Sequence, residues 1–145
     1  MGFLSSLDVS ASGLAAQRIR MNVISSNLAN VETTRTPEGG PYRRRDVIFA
    51  AEPAPSSFPE ILGDAMGEGL DQVNVVDIIV DEGPPRSVYN PNHPDADAAG
   101  YVAMPNINVV EEMVNMLSAT RSYEANVTAI QSAKSMALKA LEIAK

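Results

Sequence analysis

At 145 residues, with 45% apolar content, no cysteine, one histidine and no tryptophan, the chain is sized for one domain. It has no means of forming disulfides or cysteine-built zinc sites, and it offers few aromatic platforms for nucleic acid. Its net charge of −7 disfavours a phosphate-backbone binder, no apolar run approaches the ~18 residues of a membrane span, and the opening residues lack the basic start and apolar stretch of a cleaved leader.

The charge divides the chain into three. Residues 1–34 balance Arg18 and Arg20 against Asp8 and Glu32, and residues 105–145 balance Arg121, Lys134, Lys139 and Lys145 against Glu111, Glu112, Glu124 and Glu142. The whole excess of acid lies in 35–104, which also holds nine of the ten prolines. The expected class is α+β: two long terminal helices paired as a coiled-coil-like core, with a small, mainly β, loop-rich middle.

In the first part Leu7, Leu14, Met21 and Leu28 recur every seven residues, with Phe3 and Ile24 on a second line that Ser10 and Gln17 interrupt. The pattern predicts a helix over about 4–30. Serine, asparagine and Gly13 make it a weak helix by propensity, so its stripe needs covering partners; the alternative is an ordinary helix docked on its own domain. Asn22, Asn27 and Asn30, with Asn126 later, are candidates to fix helix register, as single polar residues do in coiled-coil seams, or else solvated amides and caps.

The middle predicts a strand over Tyr42–Phe49 after a Gly39-Gly40-Pro41 turn, a flexible Pro/Gly-rich loop over about 50–69, a second strand over 73–80 and a short third at Arg86–Tyr89. Arg43–Arg45 is expected on a solvated or salt-bridged strand edge. His93, Asp95 and Asp97 are a conceivable metal or acid/base set. The Asn-Pro and His-Pro steps around them favour consecutive turns, and a calcium loop would need more oxygen ligands and a distal glutamate.

In the last part Asn108, with Glu111 three residues on, reads as a helix cap, and a helix is predicted over about 108–143. Val109, Met116, Tyr123, Ile130, Ala137 and Ala144 form one seven-residue series; Met113, Val127 and Leu141 form a second, broken by Thr120 and Lys134. Ala125, Ala129, Ala133 and Ala137 permit close helix approach. The two terminal helices are expected to pair, leaving Val9, Ile19, Val23, Val114, Leu117 and Leu138 to be covered by further copies or related chains. A membrane-surface helix would want clustered cations opposite bulky aromatics, and these are missing. The subunit-interface candidates are therefore Leu7, Leu14, Met21, Asn22, Asn27, Leu28, Asn30, Met113, Met116, Tyr123, Asn126, Val127, Ile130 and Leu141.

Ser12-Gly13-Leu14-Ala15-Ala16, the run Arg20-Met21-Asn22-Val23-Ile24-Ser25-Ser26-Asn27-Leu28-Ala29-Asn30 and Thr33-Thr34 resemble the N-terminal signature of bacterial flagellar axial proteins, the family of rod, hook and hook-associated subunits. Tyr89-Asn90-Pro91, His93-Pro94-Asp95-Ala96-Asp97, Gly100-Tyr101-Val102, Met104-Pro105-Asn106 and the stretch from Glu111-Glu112-Met113-Val114 to Arg121-Ser122-Tyr123-Glu124-Ala125-Asn126 resemble the family's proximal-rod subunits. The resemblance implies a paired-helix core, a small β outer region, and export as an unfolded chain through the flagellar type III apparatus without a cleaved leader. It also implies polymerisation with other rod proteins and the rod–ring junction protein, an indirect link to the membrane ring, and passive transmission of torque in the extracytoplasmic basal body. No enzymatic role, cofactor, nucleic acid or lipid partner is expected.

Overall fold

The computed structural model describes residues 3–53 and 71–143; the loop expected over about 50–69 lies largely outside them. Two helices, α1 (Phe3–Ala29) and α2 (Val109–Ile143), enclose four strands in sequence: β1 (Arg45–Pro53), β2 (Asp71–Val80), β3 (Arg86–Tyr89) and β4 (Tyr101–Met104). The α+β class and both terminal helices are borne out.

α1 ends where Asn30 donates from Nδ2 to the Ser26 carbonyl at 2.9 Å and accepts from Thr33 Oγ1 at 3.1 Å. The chain then reverses through Gly39 and Gly40, whose φ of 94° and 76° lie in the left-handed region glycine tolerates. Tyr42 N donates to the Thr33 carbonyl at 3.0 Å, which brings the chain back against α1. At the far end Asn108 Oδ1 accepts from Val110 N at 3.1 Å, so the cap read from the sequence is the one that forms.

The helices run antiparallel: Asn27 meets Glu112, Met21 meets Thr120 and Gly13 meets Asn126. A Cβ built on Gly13 would stand 3.0 Å from Asn126 Nδ2, so the helix axes approach closely there. The core between the elements is thin, with Ala16, Ile24, Ala119 and Ala133 buried on the helices, Val102 on β4, and Tyr42 and Ile107 in the connecting segments.

β1 and β2 form an antiparallel ribbon, Arg45 opposite Val80 and Pro53 opposite Asp71, with an irregularity between Ile48 and Phe49 that leaves Val76 unpaired. The ribbon lies on α1, where Val73 N donates to Ser12 Oγ at 3.1 Å. β3 pairs with β4, Tyr89 opposite Tyr101, in a separate two-stranded sheet. This corrects the expected three-stranded module: the first strand starts at Arg45 rather than Tyr42, and the third strand pairs with a fourth that was not foreseen.

Candidate functional site

The seam of the helix pair is built from two lines on α2. Met116, Tyr123, Ile130 and Ala137 are half-buried, as the first sequence series required. The second line is Glu112, Ala119, Asn126 and Ala133, of which Glu112, Ala119 and Ala133 are buried. The expected second line fails in its position: Met113 and Leu141 are 60% and 65% exposed, and Val127 is half-buried on the flank. An acid, an amide and two alanines carry little hydrophobic signal, and bulkier residues one position along drew the reading off the seam. Their seven-residue spacing from one another was the clue available.

On α1, Leu7, Leu14, Met21 and Leu28 are half-buried, and so are Val9, Ile19 and Val23, since the ribbon of the same chain reaches α1. Those residues are thus partly covered without a second copy. Asn22 is exposed on the outer side, and Asn30 is half-buried and committed to the helix end.

Asn27 is fully buried, and its amide uses every bonding position. Nδ2 donates to the Arg45 carbonyl at 2.8 Å and to Glu112 Oε2 at 3.0 Å. Oδ1 accepts from Arg45 N at 3.0 Å and Tyr42 Oη at 3.1 Å. Glu112, equally enclosed, accepts on Oε1 from Arg44 Nε at 2.8 Å, and Arg44 Nη1 reaches Asp46 Oδ2 at 3.1 Å. One junction thus joins α1, the incoming β1 and the start of α2. Arg45 places its guanidinium 5.8 Å from the centre of the Tyr42 ring, while Arg43 is exposed. The triplet therefore divides into an internal ion pair, a cation over a ring and a solvated residue.

The His93–Asp97 segment forms consecutive turns. Asp95 N donates to His93 Nδ1 at 3.1 Å, and Asp97 Oδ1 accepts from Ala99 N and Tyr101 N at 2.8 and 2.9 Å. Asp95 Oδ2 accepts from Thr34 Oγ1 at 2.8 Å, tying the turns to the segment after α1. Among the described residues no cluster of three or more histidine or acidic side chains is placed to hold a metal ion.

Exposed apolar side chains stand on the β1–β2 ribbon (Val76, Ile79 and Val80 among them) and on the outer side of α2. Val110, Met113, Val114 and Leu117 follow the i, i+3, i+4, i+7 spacing of one helical face, all more than half exposed. The arrangement suits burial against another helix rather than bond-making chemistry.

Two family models match the chain, each on one helix and its adjoining residues: "Flagella basal body rod protein" over residues 7–35 and "Flagellar basal body rod FlgEFG protein C-terminal" over residues 98–143. The flagellar basal-body rod protein FlgC of Borreliella burgdorferi is 49% identical over 99% of this chain and 98% of its own. That of Bacillus subtilis is 49% identical over 97% of each chain, and that of Salmonella typhimurium 43% identical over 99% of this chain and 98% of its own. With such identity over nearly the whole length of each chain, the chain belongs to the FlgC family of flagellar basal-body rod proteins.

Proposed function

We propose that this structural rod subunit assembles through the outer face of α2, with the helix pair (residues 1–34 and 105–145) as its axial core domain and the acidic middle (35–104) as its outer region. In this reading it is a passive structural part, without catalytic chemistry. Its neighbours are further rod subunits and the rod–ring junction protein; it reaches the membrane ring only through them and passes torque towards the distal rod and hook. It leaves the cytoplasm unfolded through the type III apparatus and resides in the extracytoplasmic basal body.

The observation that carries this is the bare ridge of Val110, Met113, Val114 and Leu117. Burying each such side chain is worth about 1.5–3 kcal/mol, so one contact against a neighbouring helix supplies several. The neutral balance of both terminal segments lets many copies stack without long-range repulsion.

Met113→Asp tests the reading. Met113 is exposed in the free chain, so the variant folds with its stability changed by less than about 0.5 kcal/mol. Cells relying on it are non-motile, and isolated hook–basal bodies lack it. Leu14→Asp is the control: it places a charge on the half-buried side of α1 and destabilises the free chain itself. Motile cells carrying Met113→Asp would overturn the assignment of this face.

A further inference from the structure

β2 joins high strand propensity to exposure. Residues 73–80 read Val-Asn-Val-Val-Asp-Ile-Ile-Val, with Asp77 the one charge, and Val76, Ile78, Ile79 and Val80 are 42 to 60% exposed. A run of this kind, rich in β-branched residues and free of proline, is prone to pair with further copies of itself wherever a strand edge is open. A two-stranded ribbon has two such edges.

The hydrogen bonds fix which backbone groups face them. Arg45 turns both its N–H and its carbonyl to Asn27, at 3.0 and 2.8 Å, so Arg45 and the opposing Val80 do not bond across the ribbon. Bonding and non-bonding pairs alternate in an antiparallel ladder. The next non-bonding pair is therefore Val47 opposite Ile78, whose N–H groups point outward, one to each edge. Both are already taken. Val47 N donates to Asp46 Oδ1 at 2.8 Å, and Ile78 N donates to Asp77 Oδ1 at 2.7 Å. Asp46 is also held through Oδ2 by Arg44, whereas Asp77 stands exposed on the outer strand.

We propose that Asp46 and Asp77 close the two edges of the ribbon to strand addition by a second copy. Each carboxylate occupies the N–H that an incoming strand would need and sets a negative charge in its path. An identical strand arriving at β2 brings its own Asp77, and like charges set close together across paired strands repel. The device keeps a chain that must associate from doing so through its strand edges. It does not depend on which helix face assembles, so either reading can fail without the other.

Asp77 takes no part in the Asn27–Glu112 junction, so it can be replaced without disturbing the core. Purified full-length Asp77→Val is compared with the unaltered chain under native conditions, by thioflavin T fluorescence and fibre diffraction. The expected result is fibre growth after a lag at least about tenfold shorter, with a reflection at about 4.7–4.8 Å. Glu82→Val, the same substitution at an exposed position just beyond β2, leaves the lag unchanged. Adding Ile78→Pro to Asp77→Val removes the freed N–H, which is not a rung of the ladder, and restores the lag.

Urea midpoints separate edge pairing from unfolding: Asp77→Val keeps the midpoint of the unaltered chain. If the midpoint falls, Asp77→Ala, which removes the carboxylate without adding branched bulk, takes its place. An unchanged lag when the carboxylate is removed, an equal acceleration in Glu82→Val, or no recovery with Ile78→Pro overturns the proposal.

Discussion

Asn27 meets the full bonding requirement of a buried amide, two donors used and two acceptors used, and in doing so it sets one register for the helix pair. A seven-residue slip would keep much of the small-residue seam but separate Asn27 from Glu112. Buried polar groups specify in this way because their unpaired alternatives are costly. Glu112 depends in turn on Arg44. Arg44→Met leaves a carboxylate enclosed without its cation and costs about 3–5 kcal/mol. Glu112→Gln keeps an acceptor for Asn27, leaves the partly exposed Arg44 beside Asp46, and costs about 1–2 kcal/mol. Urea unfolding of the two variants checks the order, and a milder Arg44→Met would mean that the carboxylate does not rely on the pair. Burial alone would lower the Arg44 pKa, but the hydrogen bond and charge of Glu112, with those of Asp46, outweigh it and raise the value. A raised cation contributes its stability at every pH below its ordinary range and loses it only above the raised value, so Arg44 adds no pH dependence near neutrality. Gln17 is the opposite case, with a buried Oε1 that has no hydrogen-bond partner among the described residues. Gln17→Met keeps the shape, removes that oxygen, and is expected to raise stability by about 1–2 kcal/mol, read from the urea midpoint.

Gly13 is poor for a lone helix and suited to a paired one. Its Cα faces Asn126 so closely that a methyl group would sit 3.0 Å from the amide nitrogen. That nitrogen is the far end of a flexible side chain and can give way, whereas a branched group would push the helix axes apart. Gly13→Ala is therefore expected to stabilise the free chain by about 0.5–1 kcal/mol through helix propensity, and Gly13→Val to destabilise it by about 1–3 kcal/mol through overpacking; thermal melting separates the two. The sequence carries both helices clearly, because heptad stripes, a cap at Asn108 and the lack of helix breakers agree. It conceals the second line of the α2 seam, because Glu112 looks like a surface residue until Asn27 is set opposite it, and Asn126, a register candidate, lies on neither of the expected seven-residue series. β4 was hidden for a similar reason: Tyr101–Met104 is only four residues long, and it becomes a strand by pairing with β3 across turns that Asp97 closes. Of the interface candidates, the stripe of α1 proved to be partly covered within the chain, while Met113 and Leu141, misplaced as seam residues, stand on the uncovered surface.

At the scale of the whole molecule, shelter is uneven from one end to the other. Near the junction two buried polar side chains, an ion pair and Tyr42 bind three elements together, whereas the last turns of α2 carry Leu138, Leu141 and Ile143 in water. Local opening follows such gradients, since backbone amides are protected to the degree that the packing around them must break before they exchange. In the free chain in dilute solution, amides of residues 116–130 should therefore exchange at least about a hundredfold more slowly than those of 139–143. The same segment in isolated hook–basal bodies should gain protection comparable to the seam, because a neighbour now encloses it. The comparison separates ordering that the chain accomplishes alone from ordering that assembly supplies: α1, flanked by α2 and the ribbon, should change little, and the last turns of α2 should change most. Equal protection of residues 139–143 and the seam in the free chain would mean that this surface is already covered, and would remove the physical reason for assigning it to assembly.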